Sequence, residues 1–233
     1  MDVHIDLANN EHLSPKYLLI NDNGVVPTLV HDENIIKDSN VICEDTDEVF
    51  SELANGQSLT PEDPIKKAEM RSWMRLIEKV PTPAVQVPSL NMAFLSRFKG
   101  LLLSQFHDQQ SDIRPLRKEF YRRMGPKGFN TEDFESAIEK LQTTTKRMEL
   151  SLQKGPWLIG RSYSIADIIL APLLDRMDNL SFTKIWIHNC PNVVNWFKCI
   201  RSRLAFQQAL YKGTRLSELH NLWGRVTTRV FSY

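Results

Sequence analysis

Beyond residue 60 the apolar residues of this chain recur at intervals of three and four, and that spacing most restricts what it can fold into. Ile65, Ala68, Ser72-Trp73, Leu76-Ile77 and Val80 form one stripe, starting behind Pro64 and closed by Pro81 and Pro83. Phe134, Ile138, Leu141, Met148 and Leu152 form a second, capped by Thr131 and stopped by Gly155-Pro156. Val193-Val194, Trp196-Phe197, Ile200 and Leu204 form a third, behind Pro191. In a helix such residues share one face, which must be buried against another element. No strand-like alternation of comparable strength follows, so residues 58–213 are predicted to be an all-helical domain. Residues 90–103 are apolar enough to be helical, 107–112 read as a polar break, and 214–233 read as a weakly periodic C-terminal tail.

Residues 1–57 carry a different rhythm. Residues 3–7 alternate apolar and polar, as a half-buried strand does, and Ser14-Pro15 offers a cap and a proline at a first helical position. Asn21-Asp22-Asn23-Gly24 is a dense turn signal. Residues 25–30 then read as a strand, Asp32-Glu33-Asn34 as a hairpin turn and Ile35-Ile36 as its return. Asp38-Ser39 opens a run with Val41-Ile42 and Val49-Phe50 at helical spacing, expected to stop near Asn55-Gly56. The order strand, helix, strand, strand, helix is that of a partial α/β domain. The polar, proline-bearing stretch 58–63 marks the boundary.

Composition narrows the function. With 29 basic and 28 acidic side chains the net charge is +1, so no global field recruits nucleic acid or an anionic membrane. No apolar run approaches the roughly 18 residues of a membrane span. Cys43, Cys190 and Cys199 form neither a CxxC pair nor a disulfide framework, which suits a reducing, cytoplasmic compartment. His4, His12, His31, His107, His188 and His220 show no metal-ligand spacing, and no glycine-rich phosphate loop is present. No metal is expected.

The stretch from Ile20 through Gly24-Val25-Val26-Pro27 to Leu29, followed by Asp38-Ser39-Asn40-Val41-Ile42, resembles the thioredoxin-like half of glutathione transferases. In the helical half, the run from Trp157-Leu158-Ile159-Gly160 to Ser164-Ile165-Ala166-Asp167 resembles the same family's N-capping box and hydrophobic staple. The blocks around Asp38-Ser39 and Pro64-Ile65 are most similar to bacterial β-etherases and their relatives. The resemblance extends to about Gly213, and its specificity lies in the ordered set of motifs. It implies α/β plus all-α architecture, with an N-terminally truncated thioredoxin-like domain (1–57), a glutathione transferase C-terminal helical bundle (58–213) and a tail (214–233).

The resemblance also implies a site. The backbone of Val26, beside a cis Pro27, would pair with the cysteinyl residue of glutathione as an added strand does. Asp38 and Ser39, at a helix start, would hold the zwitterionic γ-glutamyl end. Ser164 and Asp167 would cap a buried helix rather than act on substrate. Glutathione is then the co-substrate, a hydrophobic electrophile such as an aryl ether the second substrate, and a homodimer the expected assembly. Family members open on a strand ending in the Ser, Tyr or Cys that activates the thiol, whose reference pKa is about 8.5. This chain opens at what reads as the second strand, so that segment is expected to be absent and the catalytic residue is unassigned. The alternative reading is a non-catalytic glutathione transferase-like binding or interaction module.

Other signals have plainer readings. Ser14 reads as a helix cap, Cys43 as a small buried hydrophobe, and Trp73 with residues 92–98 as core rather than an electrophile pocket. Arg114, Arg117, Lys118, Arg122 and Arg123, with Phe120 and Tyr121 between them, read as a solvated helix face. Asp45-Thr46 departs from the apolar continuation usual in relatives, and Pro172 is expected to kink its helix.

Overall fold

The computed structural model describes residues 3–7, 10–51, 58–95, 120, 122–125 and 127–210. Residues 3–7, expected as a strand, form no ladder within it. The Asp6 N–H donates to the Glu11 carboxylate at 2.7 Å, and its carbonyl accepts from the Glu11 N–H at 3.0 Å. The backbone groups a strand would offer sideways are turned instead onto the helical turn Glu11–Leu13.

Helix α1 (Pro15–Leu18) begins as its sequence requires, with the Ser14 hydroxyl accepting from the Tyr17 N–H. Strands β1 (Thr28–His31) and β2 (Asn34–Lys37) form an antiparallel hairpin. Its loop is Asp32-Glu33, both at positive φ (45° and 67°), the conformation whose twist matches that of the paired strands. Asn34, expected in the turn, instead pairs with His31. Helix α2 (Ser39–Phe50) follows at once. The expected stop at Asn55-Gly56 lies outside the described residues.

Helix α3 (Pro64–Lys79) is capped by Asp63, whose carboxylate accepts from the Ile65 and Lys66 N–H groups at 2.8 Å. Pro81 and Pro83 end it but do not open a loop, because α4 (Pro81–Ser89) starts there. Proline in a first helical turn lacks only an N–H that no helix bond uses. A π-helical turn, Leu90–Phe94, continues α4. Residues 96–103, the polar break at 107–112, the tail at 214–233, and Arg114, Arg117, Lys118 and Tyr121 lie outside the described residues. Helix α5 (Thr131–Leu152) is capped by Asn130 and not by Thr131. Asn130 is extended (φ −70°, ψ 174°), so its side-chain oxygen reaches the Asp133 N–H at 2.8 Å. Just before it, the Asn91 amide pairs with both backbone groups of Phe129, and Gly128 (φ +88°) leaves the space a side chain would take from Asn91.

Helix α6 (Ile165–Asn179) runs through Pro172 as one element, and α7 (Pro191–Ser202) and α8 (Leu204–Ala209) complete the described fold. Ile77 of the first predicted stripe, Leu141 and Met148 of the second, and Val193 and Trp196 of the third meet Leu170 and Leu174 of α6 in one core. The buried face of α3 also runs through Met70 and Met74, which the first stripe did not include, and leaves its Ile65, Ala68 and Ser72 exposed, as Leu204 of the third is in α8. Trp73 belongs to the core, with the Arg147 guanidinium 5.4 Å from its ring centre. No described helix is long and apolar enough to cross a membrane.

Candidate functional site

The hairpin register decides where the site forms. Thr28, the first residue of β1, pairs with Lys37, the last of β2. The residues just outside those positions, Val26-Pro27 and Asp38-Ser39, therefore lie at the same end of the hairpin. Two segments twelve positions apart in sequence are brought together by one turn type.

The Val26–Pro27 peptide is cis and Val26 is 40% exposed. Among the described residues neither its N–H nor its carbonyl has a hydrogen-bond partner. Asp38 stands at φ 79°, rare for a residue with a side chain, and one of its carboxylate oxygens accepts from the Asn40 and Val41 N–H groups at 2.8 and 3.4 Å. The other carboxylate oxygen and the Ser39 hydroxyl make no bond to a described residue and are exposed at the start of α2. A free backbone, a helix start and a half-used carboxylate thus face solvent at one hairpin end. That combination suits a short peptide bearing both an ammonium and a carboxylate.

Sequence reasoning missed what holds this arrangement. The Tyr17 hydroxyl donates to the Val25 carbonyl at 2.8 Å and lies 2.8 Å from Thr28 Oγ1. The Asn21 amide donates to the same carbonyl and the same hydroxyl, each at 2.9 Å, and its oxygen accepts from the Asn23 N–H. Asn21 is fully buried. The turn signal around it was legible, but its role as a buried bracket was not, because Asn in a turn reads as solvent-facing.

Ser164 and Asp167 sit far from this surface in function, inside the helical core. Asp167 is fully buried, and its carboxylate accepts from the Ser164 N–H, the Ser164 hydroxyl, the Leu158 N–H and the Trp196 indole at 2.8–3.0 Å. Burial pushes its carboxyl above the ordinary value, against those donors. Four donors fill the four lone-pair directions, which leaves no oxygen free for substrate. Cys43 is half-buried and opens on a 290 Å³ groove lined also by Ile42, Phe50, Leu59, Ile165 and Ile168. Burial, then the nearby Asp38 charge, raises its thiol pKa, which disfavours the reactive thiolate. His31 is paired with Asp45 at 3.2 Å, so the departure at Asp45 ties α2 to the hairpin. Among the described residues no group of three or more His, Cys, Asp or Glu side chains is placed to hold a metal.

Comparison with known proteins fits the two halves separately and in order. The glutathione S-transferase N-terminal domain matches residues 1–44, and the glutathione S-transferase C-terminal domain matches residues 130–199. The chain belongs to the glutathione S-transferase superfamily. Protein LigF of Sphingobium sp. (strain NBRC 103272 / SYK-6) is 28% identical over 217 residues, covering 91% of this chain and 84% of LigF. The crystal structure of the β-etherase LigF superposes with a TM-score of 0.76 at 27% identity, covering 88% of this chain and 86% of that one. The tetrachloro-p-hydroquinone reductive dehalogenase of Sphingobium chlorophenolicum is 24% identical, over 85% of this chain and 80% of its own length. The described fold is therefore the glutathione transferase fold, a thioredoxin-like unit followed by a helical one.

Proposed function

We propose that this protein is a glutathione-dependent transferase of the β-etherase-like branch, in which the thiolate of bound glutathione attacks a hydrophobic electrophile such as an aryl ether. The carbon–sulfur bond forms as the carbon–oxygen bond breaks, and the aryloxide leaves with the electron pair. The observation that carries this reading is the unpaired backbone of Val26 at the same hairpin end as Asp38 and Ser39. Val26 would pair with the cysteinyl backbone. The free oxygen of Asp38 would take the γ-glutamyl ammonium, and the Ser39 hydroxyl, at the positive end of α2, its carboxylate. The likeness to a β-etherase and a reductive dehalogenase supports an aromatic second substrate. A cytoplasmic homodimer is proposed with it, on the family resemblance.

Calorimetric titration with glutathione tests the reading directly. Saturable binding is expected, weakened about tenfold by Ser39→Ala, the loss of one charge-assisted hydrogen bond at about 1.4 kcal/mol. A folded sample that takes up no glutathione would sink it. Where binding is found, a β-aryl ether probe is expected to release its phenol only with glutathione present.

A further inference from the structure

Val26 and Pro27 are flanked by residues that are locked to each other. The Val25 carbonyl receives two hydrogen bonds, from Tyr17 Oη and Asn21 Nδ2, and Thr28 Oγ1 meets the same two groups. The donors count out without conflict. Tyr17 has one hydroxyl hydrogen, given to Val25; Thr28 gives its own to Tyr17; the two amide hydrogens of Asn21 go to Val25 and Thr28. The four groups close a ring, and both side chains from outside the loop are buried. Nothing in the ring uses Val26 itself: the Val25 carbonyl and the Thr28 side chain are held on either side, and among the described residues the Val26 N–H and carbonyl stay unpaired.

We infer that Tyr17, Asn21 and Thr28 are positioning residues that hold the Val26 backbone unpaired for a peptide ligand, a role resting on the proposed glutathione reading. The physical need is entropic. A loop held by its own turn would sample many conformations, and each ligand-bound hydrogen bond would have to pay for ordering it. A ring of buried hydrogen bonds settles that cost during folding. It also explains why a tyrosine on a four-residue helix is buried, and why Asn21, in the middle of a polar turn, is sealed from solvent.

The test titrates glutathione into the full chain and into Thr28→Val, Thr28→Ser and Tyr17→Phe, with amide resonances followed by NMR on the same samples. Thr28→Val and Tyr17→Phe are expected to weaken binding about tenfold, and Thr28→Ser, which restores the hydroxyl, to stay within about twofold. The amides of Val25 and Val26 should shift in the first two variants while those of α6 hold their positions, which excludes general unfolding. Unchanged affinity in Thr28→Val would overturn the role. If the parent chain binds no glutathione, the functional reading falls by itself and the amides judge the ring: Val25 and Val26 amides that shift in Tyr17→Phe uphold it, and amides that stay put there overturn it.

Discussion

At the scale of single residues, chemistry here follows from what each group's neighbours leave free. Among the described residues the Ser39 hydroxyl and one oxygen of Asp38 are unpaired at the start of α2, whereas all four lone-pair directions of Asp167 are filled. The same test separates the cysteines. Cys199 is exposed, Cys190 is buried, and Cys43 is half-buried. Burial raises the thiol pKa of both Cys43 and Cys190, so the thiolate fraction that alkylates is smallest there. With N-ethylmaleimide at neutral pH, peptide mapping is expected to find Cys199 labelled first and Cys43 and Cys190 at least about tenfold more slowly. Equal rates at all three would contradict the described burial.

At the scale of elements, helix starts differ in where the groups that hold them come from. Helix α7 has no cap of its own at Cys190; Glu149 of α5 accepts from the Val193 N–H at 3.0 Å and the Asn192 side chain at 2.7 Å. Helix α6 depends on Asp167, which binds back to Ser164 and across to Leu158 and Trp196. Asp167→Ala strands these buried donors, at about 1–3 kcal/mol for each left unsatisfied, so a loss of roughly 3 kcal/mol or more in denaturant unfolding is expected. Asn130→Ala removes one exposed cap and should cost about 1 kcal/mol. Thr131→Ala should cost far less, and the comparison checks which residue caps α5.

At the scale of the whole molecule, Asp47 is the tie between α2 and the chain leading into α3. Its carboxylate accepts from the Leu59 N–H at 2.7 Å, the Thr60 N–H at 2.9 Å and the Ser58 hydroxyl at 2.8 Å. Burial raises the Asp47 carboxyl, but those hydrogen bonds more than offset it, and its pKa lies below the ordinary value. A carboxyl with a lowered folded value contributes stability that is fully present above the unfolded value of about 3.9 and is lost as pH falls through the folded value. Asp47→Asn should therefore flatten the acid limb of the stability profile below about pH 4. It should also lower the thermal midpoint at neutral pH, since the amide cannot accept at both positions. An acid limb identical to that of the parent would refute the tie.

Much of this was legible in the chain itself. The three apolar stripes determined three helices, because a helix repeats near every third or fourth residue regardless of its partners, but the face α3 buries is centred on Met70, Trp73, Met74 and Ile77 and leaves the predicted Ile65 and Ala68 exposed. Ser14-Pro15, Asp38-Ser39 and Ser164-Asp167 marked starts, because a short polar side chain answers orphan N–H groups locally. What failed in the sequence reading depended on partners. Residues 3–7 alternate like a strand, but the Asp6 backbone bonds to Glu11. Thr131 resembled a cap, but Asn130 has the backbone conformation that reaches Asp133. Pro81 reads as an ending to any local rule, yet it also starts α4. Sequence alone thus determined where the three striped helices lie and which motifs belong to a glutathione transferase. Tertiary structure alone decided that Tyr17, Asn21 and Thr28 close around Val25, and that the hairpin register brings Val26 and Asp38 to one end, because hydrogen bonds between distant residues leave no local periodicity to read.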